Sequence, residues 1–144
     1  MRFFLLVPLG FGCAELKISE LTDGEFEFRS IHGEDNGVAL PDGLSLTVSG
    51  KEITISAADG TIASGTISEK PEEEWMEHCF TNFSSTALKT YTLDTAFSID
   101  IVEYTNPLIV PGCDGTDLNL SEDGSYSDDH TGCAEGTCLY FMLQ

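Results

Sequence analysis

Residues 44–67 read LSLTVSGKEITISAADGTIASGTI, and this stretch decides the fold. Leu44, Leu46 and Val48 alternate with Ser45, Thr47 and Ser49, the two-residue period of a strand with one buried face. Gly50-Lys51 turns the chain, and Ile53 and Ile55 alternate back with Thr54 and Ser56. Asp59-Gly60 turns it again into Thr61 to Ile67. Period-two runs joined by tight glycine turns are antiparallel neighbours, because parallel strands need a long crossover between them. The stretch is a three-stranded meander.

Upstream, Gly24 to Ile31 alternates acids with aromatics and puts Phe26 and Phe28 on one face of a half-buried strand. Lys17 to Leu21 is a tether or a first strand, and Asn36-Gly37 and Pro41-Asp42-Gly43 are turns. Downstream, Glu69 to Cys79 breaks the alternation. Pro71 among glutamates starts one helical turn, because proline lacks only an N–H left unpaired there and acids suit a helix start. Trp75 and Met76 would then pack onto the sheet, with Trp75 a plug rather than a ligand platform.

Leu88 to Leu93 and Ala96 to Tyr104 read as strands, and Pro107 and Pro111 bracket a strand suited to a sheet edge. Leu118 and Leu120 mark another short strand, Glu122-Asp123-Gly124 a turn, Ser125 to Gly136 a loop, and Cys138 to Leu143 a buried closing strand. The sum is about eight short strands and at most one helical turn. The fold class is therefore all-β, a small antiparallel barrel or sandwich.

The charge narrows the partners. The 144 residues carry 25 acidic and 6 basic side chains, a net charge of −19. Such a surface repels nucleic acid and anionic lipid and attracts cations and basic proteins. The acids are scattered rather than blocked, which is what solubility in a salty medium asks for.

Met1 to Glu15 reads MRFFLLVPLGFGCAE. Arg2, an apolar run from Phe3 to Leu9, and small residues around Cys13 follow the order of a secretory signal. The run is too short to span a bilayer, which takes about 20 apolar residues as a helix. Its brevity also suggests a start codon further upstream. Cleavage before Cys13 or after Ala14 would divide the chain into a signal segment, 1–13, and one β domain, 14–144. Gly12-Cys13-Ala14 resembles the processing site of bacterial lipoproteins, although Leu9 stands one place earlier than that pattern has its leucine. The resemblance implies lipidation at Cys13, and Ala14, which is not Asp, then implies sorting to the outer membrane. Gly24-Glu25-Phe26 resembles the Gly-x-Trp opening of lipocalin-type barrels, with Phe in place of Trp.

In an exported chain Cys79, Cys113, Cys133 and Cys138 are an even set for disulfides. Of three connectivities, Cys133–Cys138 with Cys79–Cys113 is favoured. Zinc held by His78-Cys79, or by His130 with Cys133 and Cys138, is the rival, but the spacing matches no common zinc pattern. For calcium, Asp117-x-Asn119-x-Ser121 opens like an EF-hand loop, but Glu122 stands where glycine should and Asp128 where glutamate should. A looser set would be Asp123, Asp128 and Asp129. These are weak candidates, and the expectation is no metal and no cofactor.

Catalytic motifs are missing: there is no nucleophile elbow, zincin helix, phosphate loop or dinucleotide fingerprint. His32, His78 and His130 read as loop residues. No catalytic residue is assigned. The sequence points to an exported, lipid-anchored cell-envelope protein with a binding or structural role, and not to an enzyme. Its expected partners are the membrane through the anchor and a cationic, protein or small apolar ligand. The alternatives are a secreted hydrolase using dispersed carboxylates, or a calcium-dependent surface module.

Overall fold

A computed structural model describes residues 15–32, 37–81, 84–123 and 138–144. Its strands are β1 (Glu15–Ser19), β2 (Gly24–His32), β3 (Ser45–Ser49), β4 (Glu52–Ala57), β5 (Gly60–Glu69), β6 (Met76–Thr81) and β7 (Ser84–Leu88). They continue with β8 (Tyr91–Leu93), β9 (Phe97–Ile99), β10 (Val102–Tyr104), β11 (Pro107–Pro111), β12 (Asp117–Glu122) and β13 (Cys138–Leu143). Among the described residues the one helical segment is a 3-10 turn, Glu72–Glu74, after Pro71. Eight strands close a barrel in the order β11-β12-β13-β2-β3-β4-β5-β8, with β8 paired to both β5 and β11. All of its pairings are antiparallel. Of the two architectures open to the sequence, the barrel is the one formed.

The meander sits in it as read: Leu46 faces Ile55 and Val48 faces Ile53, all four buried on the inner face. Phe26 from β2, Ile109 from β11, Leu118 and Leu120 from β12, and Leu139 and Phe141 from β13 fill the same interior. Side chains of this size contribute about 1.5–3 kcal/mol each when fully buried. The barrel is thus a packed core. Register shifts between Ile55 and Ser56 and between Tyr140 and Phe141 add local bend, which a closing sheet needs.

One expectation needs correction. Pro107 and Pro111 do not mark a sheet edge, because β11 pairs with β12 on one side and β8 on the other. The prolines occupy its first and last positions, where a missing N–H is tolerated. A second difference lies in Ala96 to Tyr104, which is two strands, not one. Asp100 takes a left-handed turn at φ 53° and splits it into the hairpin β9–β10. Asp tolerates that conformation better than most residues, and its Oδ2 accepts a hydrogen bond from Ala39 N at 2.8 Å.

The hairpin closes one mouth of the barrel. Ile99 and Tyr104 are buried in the core, and Phe97 stacks on Tyr104 with ring centroids 4.9 Å apart. Its approach runs tightly over Gly65, where a Cβ would push against the Asp94 and Thr95 side chains and force them to shift.

A second sheet, β1-β7-β6, lies outside the barrel, with β1 parallel to β7. Leu88 and Met76 from this sheet pack on Leu108, Val110 and Cys138. Leu108 and Val110 flank the inward Ile109 on β11, so they belong to the barrel's outer face. Met76 therefore docks as expected, and Trp75 is half-buried beside it.

Candidate functional site

The barrel's other mouth is built differently. Four segments far apart in sequence meet there: the β1–β2 connector with Glu20 and Leu21, the β3–β4 turn with Gly50 and Lys51, the end of β5 with Ile67, Ser68 and Glu69, and Tyr91 at the start of β8. They line a half-enclosed crevice of about 370 Å³. Leu21 packs on the core from above, and Ile67 and Tyr91 belong to the core itself. The floor is apolar and the rim is charged.

Lys89 braces the rim. Its Nζ lies 3.1 Å from Glu20 Oε1 and 3.3 Å from Glu69 Oε1, and 5.7 Å from the centroid of the Trp75 ring. Trp75 is itself fixed by donating from Nε1 to Lys70 O at 2.8 Å. The hydrogen bond that Lys89 donates to Glu20 raises its ammonium above the ordinary value; burial opposes the shift, and Glu69 adds to it. Lys51, by contrast, makes no side-chain ion pair among the described residues. Tyr91 is 8% exposed, and its hydroxyl oxygen accepts a long hydrogen bond from Leu21 N at 3.4 Å. Burial pushes the phenol up, so it stays a neutral O–H donor.

The residues singled out for calcium separate. Asp117 and Asn119 share one face of β12 with Ser121, because Leu118 and Leu120 take the inner face. In that outward row Asp117 and Asn119 are half-buried and Ser121 is buried. Asp117 Oδ1, Asn119 Oδ1 and Ser121 Oγ have no hydrogen-bond partner among the described residues. Tyr140, opposite Asn119 on β13, donates its O–H to Asp117 Oδ2 at 2.5 Å. Burial, then that bond to a carboxylate, raises the Tyr140 phenol to about 12. Gly112 makes room for the carboxylate, since a Cβ there would collide with Asp117 Oδ1. At about 3.3 Å per residue the ends of this row stand roughly 13 Å apart, too far for one ion to bridge.

Asp123 turns elsewhere, pairing with Lys70 Nζ at 3.0 Å. Asp128 and Asp129 lie outside the described residues. Among the described residues no group of three or more His, Cys, Asp or Glu side chains gathers as metal ligands would.

Cys113 and Cys138 are each disulfide-bonded. Cys13 and Cys133 lie outside the described residues, and Cys79 falls within β6. His32 and His78, read from the sequence as loop residues, fall instead in strands β2 and β6, and His130 lies outside the described residues.

Comparison with protein-family models, with curated proteins and with solved structures finds no match to this chain. No single stretch of sequence signals the crevice. Its residues come from four separate segments, and only Lys51, a lone cation in a Gly turn of an acidic chain, was a local hint.

Proposed function

We propose that this chain is an exported cell-envelope protein, anchored by lipid at Cys13, with a non-catalytic binding or structural role at the outer membrane. The observation that carries the reading is the inversion of the barrel relative to a membrane-spanning one. Its interior is filled with Phe, Leu and Ile, while Ser45, Thr47, Ser49, Glu52 and Thr54 look outward. Lipid-facing strands need an apolar outer face. A barrel of this kind reaches a membrane through an anchor rather than through its strands.

Disulfides support an oxidising compartment. Strand pairing places Gly112 beside Asp117 and Leu120 beside Leu139, so Cys113 and Cys138 stand at opposite ends of β12. If each is bridged to a different cysteine, four of the five cysteines are used and one thiol remains, which in this reading is Cys13. A packed interior puts binding at the surface, and the charged mouth, with its apolar floor, is a concave place for it. Two carboxylates, Glu20 and Glu69, do share that mouth. Both are tied to a single ammonium, which makes them a brace rather than an acid–base pair of the kind hydrolysis needs.

The anchor is tested by Cys13→Ser. The substitution should move the protein from the membrane to the soluble fraction on cell fractionation. Unchanged membrane association, or a mature N-terminus beginning at Glu15, would refute the anchor.

A further inference from the structure

We infer that the crevice at the Lys51–Tyr91 mouth binds a small zwitterion, an α-amino acid with an aliphatic side chain. The inference deepens the binding role proposed above and rests on it.

Each element of such a ligand has a counterpart in the lining. Glu20 and Glu69 each give Oε1 to Lys89 and keep a second oxygen at the rim, where an ammonium group can be held. Lys51 brings an ammonium that no carboxylate among the described residues answers. Tyr91 adds an O–H whose proton has no acceptor among the described residues, since its recorded bond uses only the oxygen. Together they suit a carboxylate, and a charge-assisted hydrogen bond is roughly twice as strong as a neutral one. Leu21 and Ile67 provide an apolar floor for the side chain.

Simpler ligands match less of the lining. A bare cation would leave Lys51 opposed to it. An anion would meet Glu20 and Glu69. A purely apolar molecule would strip water from all four polar groups without replacing it. The volume of about 370 Å³ is at the small end of ligand sites and suits a molecule of amino-acid size. Lys89, seated over Trp75, pairs with both glutamates and so gathers them at the rim before a ligand arrives.

The test is a titration of the intact, oxidised protein followed by amide chemical shifts, with leucine, N-acetyl-leucine, leucinamide and glycine as probes. Leucine should shift Leu21, Lys51, Ile67 and Tyr91. Removing either ligand charge, or its side chain, should weaken binding by about tenfold or more. Lys51→Ala should weaken leucine but leave leucinamide unchanged, and Tyr91→Phe should act in the same direction without opening a cavity. No shifts at these residues at about 10 mM leucine, or equal affinity for all four probes, would overturn the inference. The two readings fail separately. Absent binding leaves the anchoring result at Cys13 untouched, whereas leucine converted to a product in the tube would confirm the site and overturn the non-catalytic role.

Discussion

The barrel's two mouths are closed by opposite means. One is plugged by β9–β10, which sends Ile99 and Tyr104 into the core and stacks Phe97 on Tyr104. The other is spanned by Leu21 and a charged brace, with Lys89 holding Glu20 and Glu69 across a crevice. Apolar closure is strong and fills the interior, leaving only an open depression of about 450 Å³ on the outside of the hairpin, beside Leu40, Ile62 and Ile99. Ionic closure is weak, because ion pairs near the surface contribute little once water screens them, but it leaves room and exposed charge for a ligand. The stability of this end and its capacity to bind trade against each other.

The largest effect expected from breaking this comparison is at the plug. Tyr104→Ala should remove a fully buried ring and lower stability by about 3–5 kcal/mol, read from the denaturant midpoint. A loss under about 1 kcal/mol would mean that the hairpin is not integral to the core.

A smaller effect is expected at the brace. Lys89→Met keeps the stem over Trp75 but removes the charge, and should lower stability by about 1 kcal/mol or less, declining further in high salt. Its pH dependence has a fixed sign. The folded-state value of Lys89 is raised above the ordinary 10.5. The brace therefore contributes fully below that pH and is lost as pH rises through the folded value. The stability difference between wild type and Lys89→Met should vanish in strong alkali. A difference that persists there would show that packing, not charge, carries the contact.

The smallest effect is the most informative about function. Lys51 makes no ion pair among the described residues, so Lys51→Ala should leave the melting temperature almost unchanged. A marked drop would place Lys51 in the structural brace and remove it from the proposed ligand set.

Much of the barrel was legible in the sequence because strand alternation is local. Leu44 to Ile67 declares its inner face every second residue and its turns at Gly50 and Asp59-Gly60, and the register follows. The same period placed Leu118 and Leu120 inside and weighed against an EF-hand loop at Asp117. Where the reading slipped, a local cue was outranked by a distant partner. Pro107 and Pro111 suggested an edge, yet β8 and β12 cover both sides of β11. Asp100 carries no glycine-like turn signal, yet its bond from Ala39 supports the reversal.

By itself, then, the sequence determined the all-β class, the meander with its register, the helical turn after Pro71 and the acidity of the surface. These depend on periodicity, on turn chemistry and on composition, which act within a few residues. The tertiary structure alone decided that the sheet closes through β8 and β11, that β1 pairs in parallel with β7 outside the barrel, and that Glu20, Lys51, Glu69 and Tyr91 share one mouth. Closure depends on how tilt and stagger accumulate around eight strands. No window of sequence contains that sum, and the crevice exists only once it is complete.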